Sequence, residues 1–440
     1  MQEKQTKKKH LIWFRNNLRV NDNAVLNHAV ANNNSVIAVY CFDPRHFTTT
    51  AFGFKKTGPY RAQFLIETIK NLKETLKEKN ITLVVSLTKP EHCISTLVKN
   101  HNISAVYYQK EWTQEEQEVE RLVKESIKTS EVSLHSYYDQ FLFHPKDTPF
   151  SSINEIPKIY TAFRKACEKK AVVRPLVNLE INLPKTNLLN EDYTIPKLKD
   201  LGLSEFTVHP NTAFPYKGGE TAGLKRINEY HWDTNHIASY KETRNGMIGS
   251  EYSSKYSAWL ANGSISARQI YWDIKDYEKK VIKNQSTYWM IFELIWRDYF
   301  MYISLKYGNS IFKLNGILSK DYNWNKSKSA LKQWINGTTP YDFVNANMIE
   351  LKETGWMSNR GRQNVASYWA KELQQDWRIG SSYFESLLID YDVHSNYGNW
   401  MYNAGVGNDP RDRKFNIQLQ AKRYDPNREY RKLWLNDELF

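Results

Sequence analysis

The sequence predicts an α/β domain followed by an all-α domain, joined by a long connector. Three observations carry this. Short β-branched runs alternate with amphipathic stretches over the first 135 residues, eight prolines interrupt the pattern between 137 and 215, and everything after 219 has helical spacing without a competing strand signal. The tryptophans agree with a division: 12 of 14 lie after residue 230. At 440 residues the chain exceeds one ordinary core, and we divide it into 1–136, 137–215 and 216–440.

In the first part, strands are expected at 11–14, 35–42 (stopped by Asp43-Pro44), 81–87, 103–108 and 131–136, with helices at 22–31, 60–79, 93–99 and 115–128. In 60–79, Phe64, Leu65, Thr68, Ile69, Leu72 and Leu76 recur at helical spacing. Strand–helix alternation implies a parallel sheet covered on both faces, Rossmann-like in pattern. The usual phosphate chemistry is missing. FRNNLR (14–19) stands where a GxGxxG would follow the first strand, and Leu224 sits where a P-loop needs lysine. The connector is expected to cross the surface, with one helix near 158–170. In the last part, helices are expected at 221–230, 266–280, 286–307, 329–336, 344–354, 363–375 and 381–391. Ser382 with Glu385 forms a capping box for the last, and Pro340 sits near a helix start.

Hydrophobic residues make up 41% of the chain, enough for large cores, yet no run of 18 apolar residues occurs. The polar start, with Lys4, Lys7, Lys8 and Lys9, reads as a solvated tail and lacks the apolar stretch of a secretory signal. Three widely spaced cysteines, Cys41, Cys93 and Cys167, argue against a disulfide framework or zinc ribbon and suit a reducing cytoplasm. The 11 histidines show no HxxxH, so no metal site is expected. A net charge of +13 suits a polyanionic partner such as nucleic acid.

Three segments are too polar for a helical interior and too aromatic for a surface. In 252–257 (YSSKYS), hydroxyls and amides opening a helix make either a phosphate site or a solvated cap. In 289–300 (WMIFELIWRDYF), Glu293 and Arg297 share a helix face, as do Trp289, Glu293 and Trp296; they could grip a base or form a core stripe with one ion pair. In the third, Arg362 is a natural partner for a buried carboxylate such as Asp390, and Asp392 and Asn396, four apart, could hydrogen-bond one edge of a planar ligand. A structural salt bridge is the alternative.

These strings, with FELIWRD (292–298), TGWMSNR (354–360) and LIDYD (388–392), resemble the FAD-binding half of photolyases and cryptochromes. SNRGRQNVAS (358–367) and NYGNWMYNAGVGNDP (396–410) resemble the DASH branch, and WFRNNLR (13–19) extends the likeness to nearly the whole chain. The resemblance implies a U-shaped FAD inside the helical domain. Ser253, Ser254, Lys255, Tyr256 and Ser257 would meet its phosphates, with Tyr240 and Arg297 nearby. Asp390, paired with Arg362, and Asp392 would line the isoalloxazine and ribose region, and Asn396 would face the flavin N5. Trp400, Trp377 and Trp324 match the family's photoreduction chain. Glu293 and Trp296 match residues that hold a flipped pyrimidine dimer; Asn359 and Arg244, and Arg360 beside them, match contacts near the lesion and the DNA backbone. Tyr402 stands where classical photolyases have tryptophan, a smaller stacking surface consistent with a preference for single strands. Glu111 matches the acid that contacts a folate antenna, 5,10-methenyltetrahydrofolate.

Two departures stand out. Ala258 replaces a proline common in relatives, and the sequence stops at Phe440 without the extended tail through which many cryptochromes signal. The expectation is therefore a monomeric, light-dependent lyase for cyclobutane pyrimidine dimers in single-stranded DNA, without membrane attachment. The alternative is a blue-light photoreceptor or DNA-binding regulator with little repair.

Overall fold

A computed structural model describes residues 8–435 except 34, 178 and 179. Lys4, Lys7 and Phe440 lie outside the described residues. Lys8 is exposed, but Lys9 is not tail: it opens β1 (Lys9–Trp13) and pairs with Ile103.

The expected strands form β1, β2 (Val36–Cys41), β3 (Leu83–Ser86), β4 (Ile103–Gln109) and β5 (Ser133–Tyr137), all parallel, in the order β3-β2-β1-β4-β5. Residue alternation splits their side chains between two cores. Ile12, Ala38, Val85 and Ala105 pack with α1 (Ala24–Ala31) and α2 (Pro59–Glu78). Leu11, Ile37, Val84 and Val106 pack with α3 (Pro90–His101) and α4 (Gln114–Ser126) on the other face. Both faces are thus covered, as an all-parallel sheet requires. Strand order reverses between β1 and β4, and such a switch point opens a crevice beyond the strands' C-terminal ends.

The connector contains α5 (Tyr160–Lys170), as expected, but it does not simply cross the surface. Phe141, Phe143, Tyr160 and Phe163 are buried in the helical core, while Ile181, Leu183, Leu198 and Leu201 fill the sheet domain's core. Its prolines break helices without preventing burial.

The helical half comprises α6 (Glu220–Asn228), α7 (Tyr240–Thr243), α8 (Ser257–Asn262), α9 (Ala267–Lys280), α10 (Gln285–Tyr307), α11 (Lys328–Ile335), α12 (Asp342–Thr354), α13 (Asn359–Ser367), α14 (Trp377–Leu387), α15 (Val393–Ala404), α16 (Ile417–Tyr424) and α17 (Glu429–Leu435). Its central helix, α10, is capped by Asn284, whose side chain accepts from the amides of Ser286 and Thr287. It is buried on nearly every side, which explains its long apolar run. Two expected boundaries move. Helix α14 starts at Trp377 with Asp376 as its cap, so Ser382 and Glu385 lie mid-helix and form no capping box. Helix α13 starts at Asn359 and widens into a π turn over Tyr368–Glu372.

A buried charge network locks the halves together. Asp139 from the connector accepts from Arg19 (2.7 Å) and Arg268 (2.9 Å), and Arg268 also meets Asp22 (3.0 Å). All four side chains are at most 5% exposed. None of the helices among the described residues is long and apolar enough to cross a membrane.

Candidate cofactor site

A cavity of about 260 Å³ opens between the 252–257 loop, α7, α10 and α13, and an adjoining pocket of about 90 Å³ continues toward α15. Asn359, Arg362, Asp390, Asp392 and Ser395 line both, so they form one bent space.

Lys255 sets its charge. The residue adopts a left-handed backbone (φ 65°) and is 2% exposed. Its ammonium lies 3.1 Å from the centre of the Tyr252 ring and 5.1 Å from that of Trp356. No hydrogen-bond acceptor meets it, and burial pushes its pKa well below the ordinary lysine value. A buried, unpaired amine in strained backbone is a seat for an anion. Arg226 holds this loop through the carbonyl of Ser254 (3.2 Å), and Ser253 also lines the space.

The other expected contacts fall on the walls, though several are already engaged. Ser257 donates to Asp390 (2.7 Å), and the phenol of Tyr256 meets His231 (3.0 Å). Tyr240 is buried at the wall, where desolvation raises its phenol. One terminal nitrogen of Arg362 donates to both oxygens of Asp390 (2.9 and 3.0 Å), forming the expected pair. Asp392 caps α15 by accepting from the amide of Ser395 (2.7 Å). Asn396 donates through its amide nitrogen to the carbonyl and hydroxyl of Ser381 (3.1 and 2.9 Å). A backbone carbonyl can only accept, so the nitrogen must face Ser381 and the side-chain oxygen is left to accept at the cavity wall.

Trp400 lines the smaller pocket and is 1% exposed. Its six-membered ring lies directly against Gly380 on α14, the helix that Trp377 opens. Trp377 is fully buried and donates to the carbonyl of Leu314 (2.9 Å). Trp324 is partly exposed and follows next in space: the amide of Asp376 bonds the carbonyl of Asn325 (3.1 Å). The three residues grade from the cavity wall (Trp400) through the buried core (Trp377) to partial exposure (Trp324).

At the cavity mouth the expected i,i+4 pair does not form. Glu293 bonds Arg244 (2.5 Å), while Arg297 donates to the carbonyls of Gln140 (2.7 Å) and Leu260 (3.3 Å). Burial raises the Glu293 carboxyl and the Arg244 guanidinium opposes it. Trp296 stacks face to face on Tyr160 (3.6 Å, 10°) and meets Tyr402 edge-on (6.1 Å, 87°). The Tyr402 hydroxyl accepts from Arg413 (3.3 Å). Arg360 bonds Asn245 and Gln363 and lies over Tyr424.

Sequence reasoning missed Tyr160 and the wall behind Lys255. There Glu350 of α12, fully buried, accepts from Tyr430 of α17 (2.6 Å), and desolvation lifts its carboxyl to about 7. An isolated glutamate at an inward position of α12 was the available signal.

A second cavity, about 300 Å³, lies at the β1/β4 switch point between the two halves. Glu111 lines it, but its carboxylate already serves Asn16, Gln109 and Arg15. Glu116 is freer: one oxygen is buried without a partner, and desolvation raises the group to about 7.

Residues 289–438, which build most of the first cavity, match the FAD binding domain of DNA photolyase, and residues 10–180 match the DNA photolyase family. Fold and site thus define an FAD-binding protein of photolyase architecture, and the unpaired Lys255 fits a diphosphate-bearing cofactor. Cryptochrome DASH from Xenopus laevis is 47% identical over 425 residues, covering 96% of this chain and 81% of the relative. Cryptochrome DASH from Gloeobacter violaceus is also 47% identical, covering 97% and 85%. The crystal structure of the Synechocystis cryptochrome superposes with a TM-score of 0.93 at 43% identity, covering 99% of this chain and 90% of that one. The chain belongs to the cryptochrome DASH family.

Proposed function

We propose that the protein is a blue-light-dependent lyase that splits cyclobutane pyrimidine dimers in single-stranded DNA. The observation that carries this is the mouth of the cavity. A half-buried carboxyl, Glu293, is balanced between desolvation and Arg244, one helical turn from Trp296, which is partly exposed and stacks on Tyr160. Such a carboxyl can accept from or donate to the edge of an extruded pyrimidine, and Trp296 offers it a stacking surface.

Bound FAD, when reduced and excited, supplies the electron that opens the dimer and takes it back. The chain's part is to bind, orient and exclude water. Lys255 and the loop 253–257 receive the diphosphate, and Asp390 with Arg362 fixes the turn into α15. The Asn396 oxygen, able only to accept, favours a protonated partner atom. Trp400, Trp377 and Trp324 refill the cofactor from the surface. Asn359, Arg360 and Arg244 meet the strand, and the net charge of +13 makes that binding salt-sensitive. The second cavity takes 5,10-methenyltetrahydrofolate as antenna, with Glu116 beside Glu111 facing it. Three buried free cysteines suit a cytoplasmic monomer.

A second reading, a photoreceptor or DNA-binding regulator with little repair, is favoured by Tyr160, which already covers one face of Trp296. The test is blue illumination of the photoreduced protein with dimer-bearing oligonucleotides, single-stranded and duplex, with dark controls. Repair confined to single strands is expected. No repair in either form, with FAD bound and reducible, would leave the photoreceptor reading.

A further inference from the structure

Behind Trp400, two more indoles lie deeper in the core. Trp334 of α11 stands nearly perpendicular to Trp400, with ring centres 6.2 Å apart. Trp369, in the π turn after α13, lies 4.9 Å beyond Trp334. Phe384 packs against both Trp334 and Trp400. Trp334 and Trp369 are both 0% exposed.

Packing alone accounts poorly for the choice of indole at Trp334. Its ring N–H is buried without an acceptor, whereas those of Trp377 and Trp369 each reach a carbonyl. Leaving such a donor unmet costs about 1–3 kcal/mol, which an apolar side chain there would avoid. The same unmet N–H occurs on Trp400. For electron transfer it has a specific effect: an oxidised indole with no acceptor keeps its proton, so its oxidation stays reversible.

We propose that Trp334 and Trp369 form an inward branch of the relay, which competes with Trp377 for the oxidising equivalent on Trp400. This rests on the reading of Trp400 as the flavin's first electron donor. Trp400 would give one electron to bound, photoexcited flavin and be left as a radical cation. One electron then passes from Trp334 to Trp400, and the positive charge moves to Trp334 and on to Trp369. No proton moves and no bond forms. Trp324 is partly exposed and can be re-reduced by a thiol in solution; the inner pair is sealed from solvent and only holds the charge until it returns. The branch is therefore a store that shortens the yield of lasting flavin reduction.

The test is transient absorption after a laser flash on the protein carrying oxidised FAD. Trp377→Phe closes the outward path. Its indole radical cation should persist well beyond simple recombination with Trp400, remain protonated, and not respond to added thiol. Adding Trp334→Phe should abolish that slow phase at unchanged FAD content, and adding Trp369→Phe instead should shorten it. The Trp334→Phe single variant should give a higher yield of lasting photoreduction than wild type. Identical decays for Trp377→Phe and for Trp377→Phe with either second substitution would overturn the branch while leaving the outward relay intact. Absence of any indole radical in the wild type would overturn both.

Discussion

Arg362→Met tests how the cofactor site is held. In the native structure one terminal nitrogen of Arg362 bonds both oxygens of Asp390, whose side chain is 3% exposed, and its Nε bonds the carbonyl of Met357 (2.9 Å). Methionine keeps the apolar stem but leaves the carboxylate with only the Ser257 hydroxyl. Breaking a buried ion pair by removing one partner costs about 3–5 kcal/mol. The Arg362 side chain is 25% exposed, so water replaces part of its interaction and about 2–3 kcal/mol is the better expectation. If that falls on cofactor affinity, FAD binding weakens roughly thirtyfold to 150-fold. Gel filtration at successive dilutions, with flavin fluorescence reporting release, measures this. Arg362→Lys, which keeps the charge but loses the Nε bond to the Met357 carbonyl, should fall between. Retention of FAD within about threefold of wild type would refute the argument that this pair sets the site.

Other consequences are equally direct. Asp139→Asn removes the anion shared by Arg19 and Arg268, and should lower stability by about 3–5 kcal/mol in denaturant titrations followed by tryptophan fluorescence. Burial raises the Glu350 carboxyl from 4.5 to about 7, against the opposing pull of Tyr430, Lys255 and Arg362. A carboxyl raised on folding contributes stability that is full below its unfolded value and lost as pH rises through the folded one. Glu350→Gln should therefore gain on wild type between about pH 5 and about pH 8 in melting temperature, and a parallel loss in both proteins would contradict this. In Gly380→Ala the new methyl meets the Trp400 ring, so light-driven flavin reduction should slow while the far-ultraviolet circular dichroism stays native.

Much of this was legible in the sequence because the determining forces are local. The five strands and four helices of the first half announce themselves through β-branched runs and one-sided helices, and the Arg362–Asp390 pair follows from two unlike charges with no reason to be buried except each other. The rest depends on tertiary context. Helix α15 was not marked as a helix because one face meets a polar cavity and the other the core, so VHSNYGNWMYNA has no clean apolar stripe. The capping box at Ser382 failed because Asp376, six residues earlier, caps the helix and both serines at 381 and 382 are buried within it. Glu293 met Arg244 rather than Arg297 because two backbone carbonyls outside its helix hold Arg297. The connector's leucines gave no periodic signal, yet they are buried because the sheet domain's core is open without them.

The charge network at Asp139 also governs how such a chain can be recombined. Arg19 and Asp22 come from the first half, Asp139 from the connector and Arg268 from the second half. A chimera in which either parent differed in charge at one of these four positions would bury an unmatched charge. The cavity between the two halves, lined by residues of both, keeps its shape on the same terms.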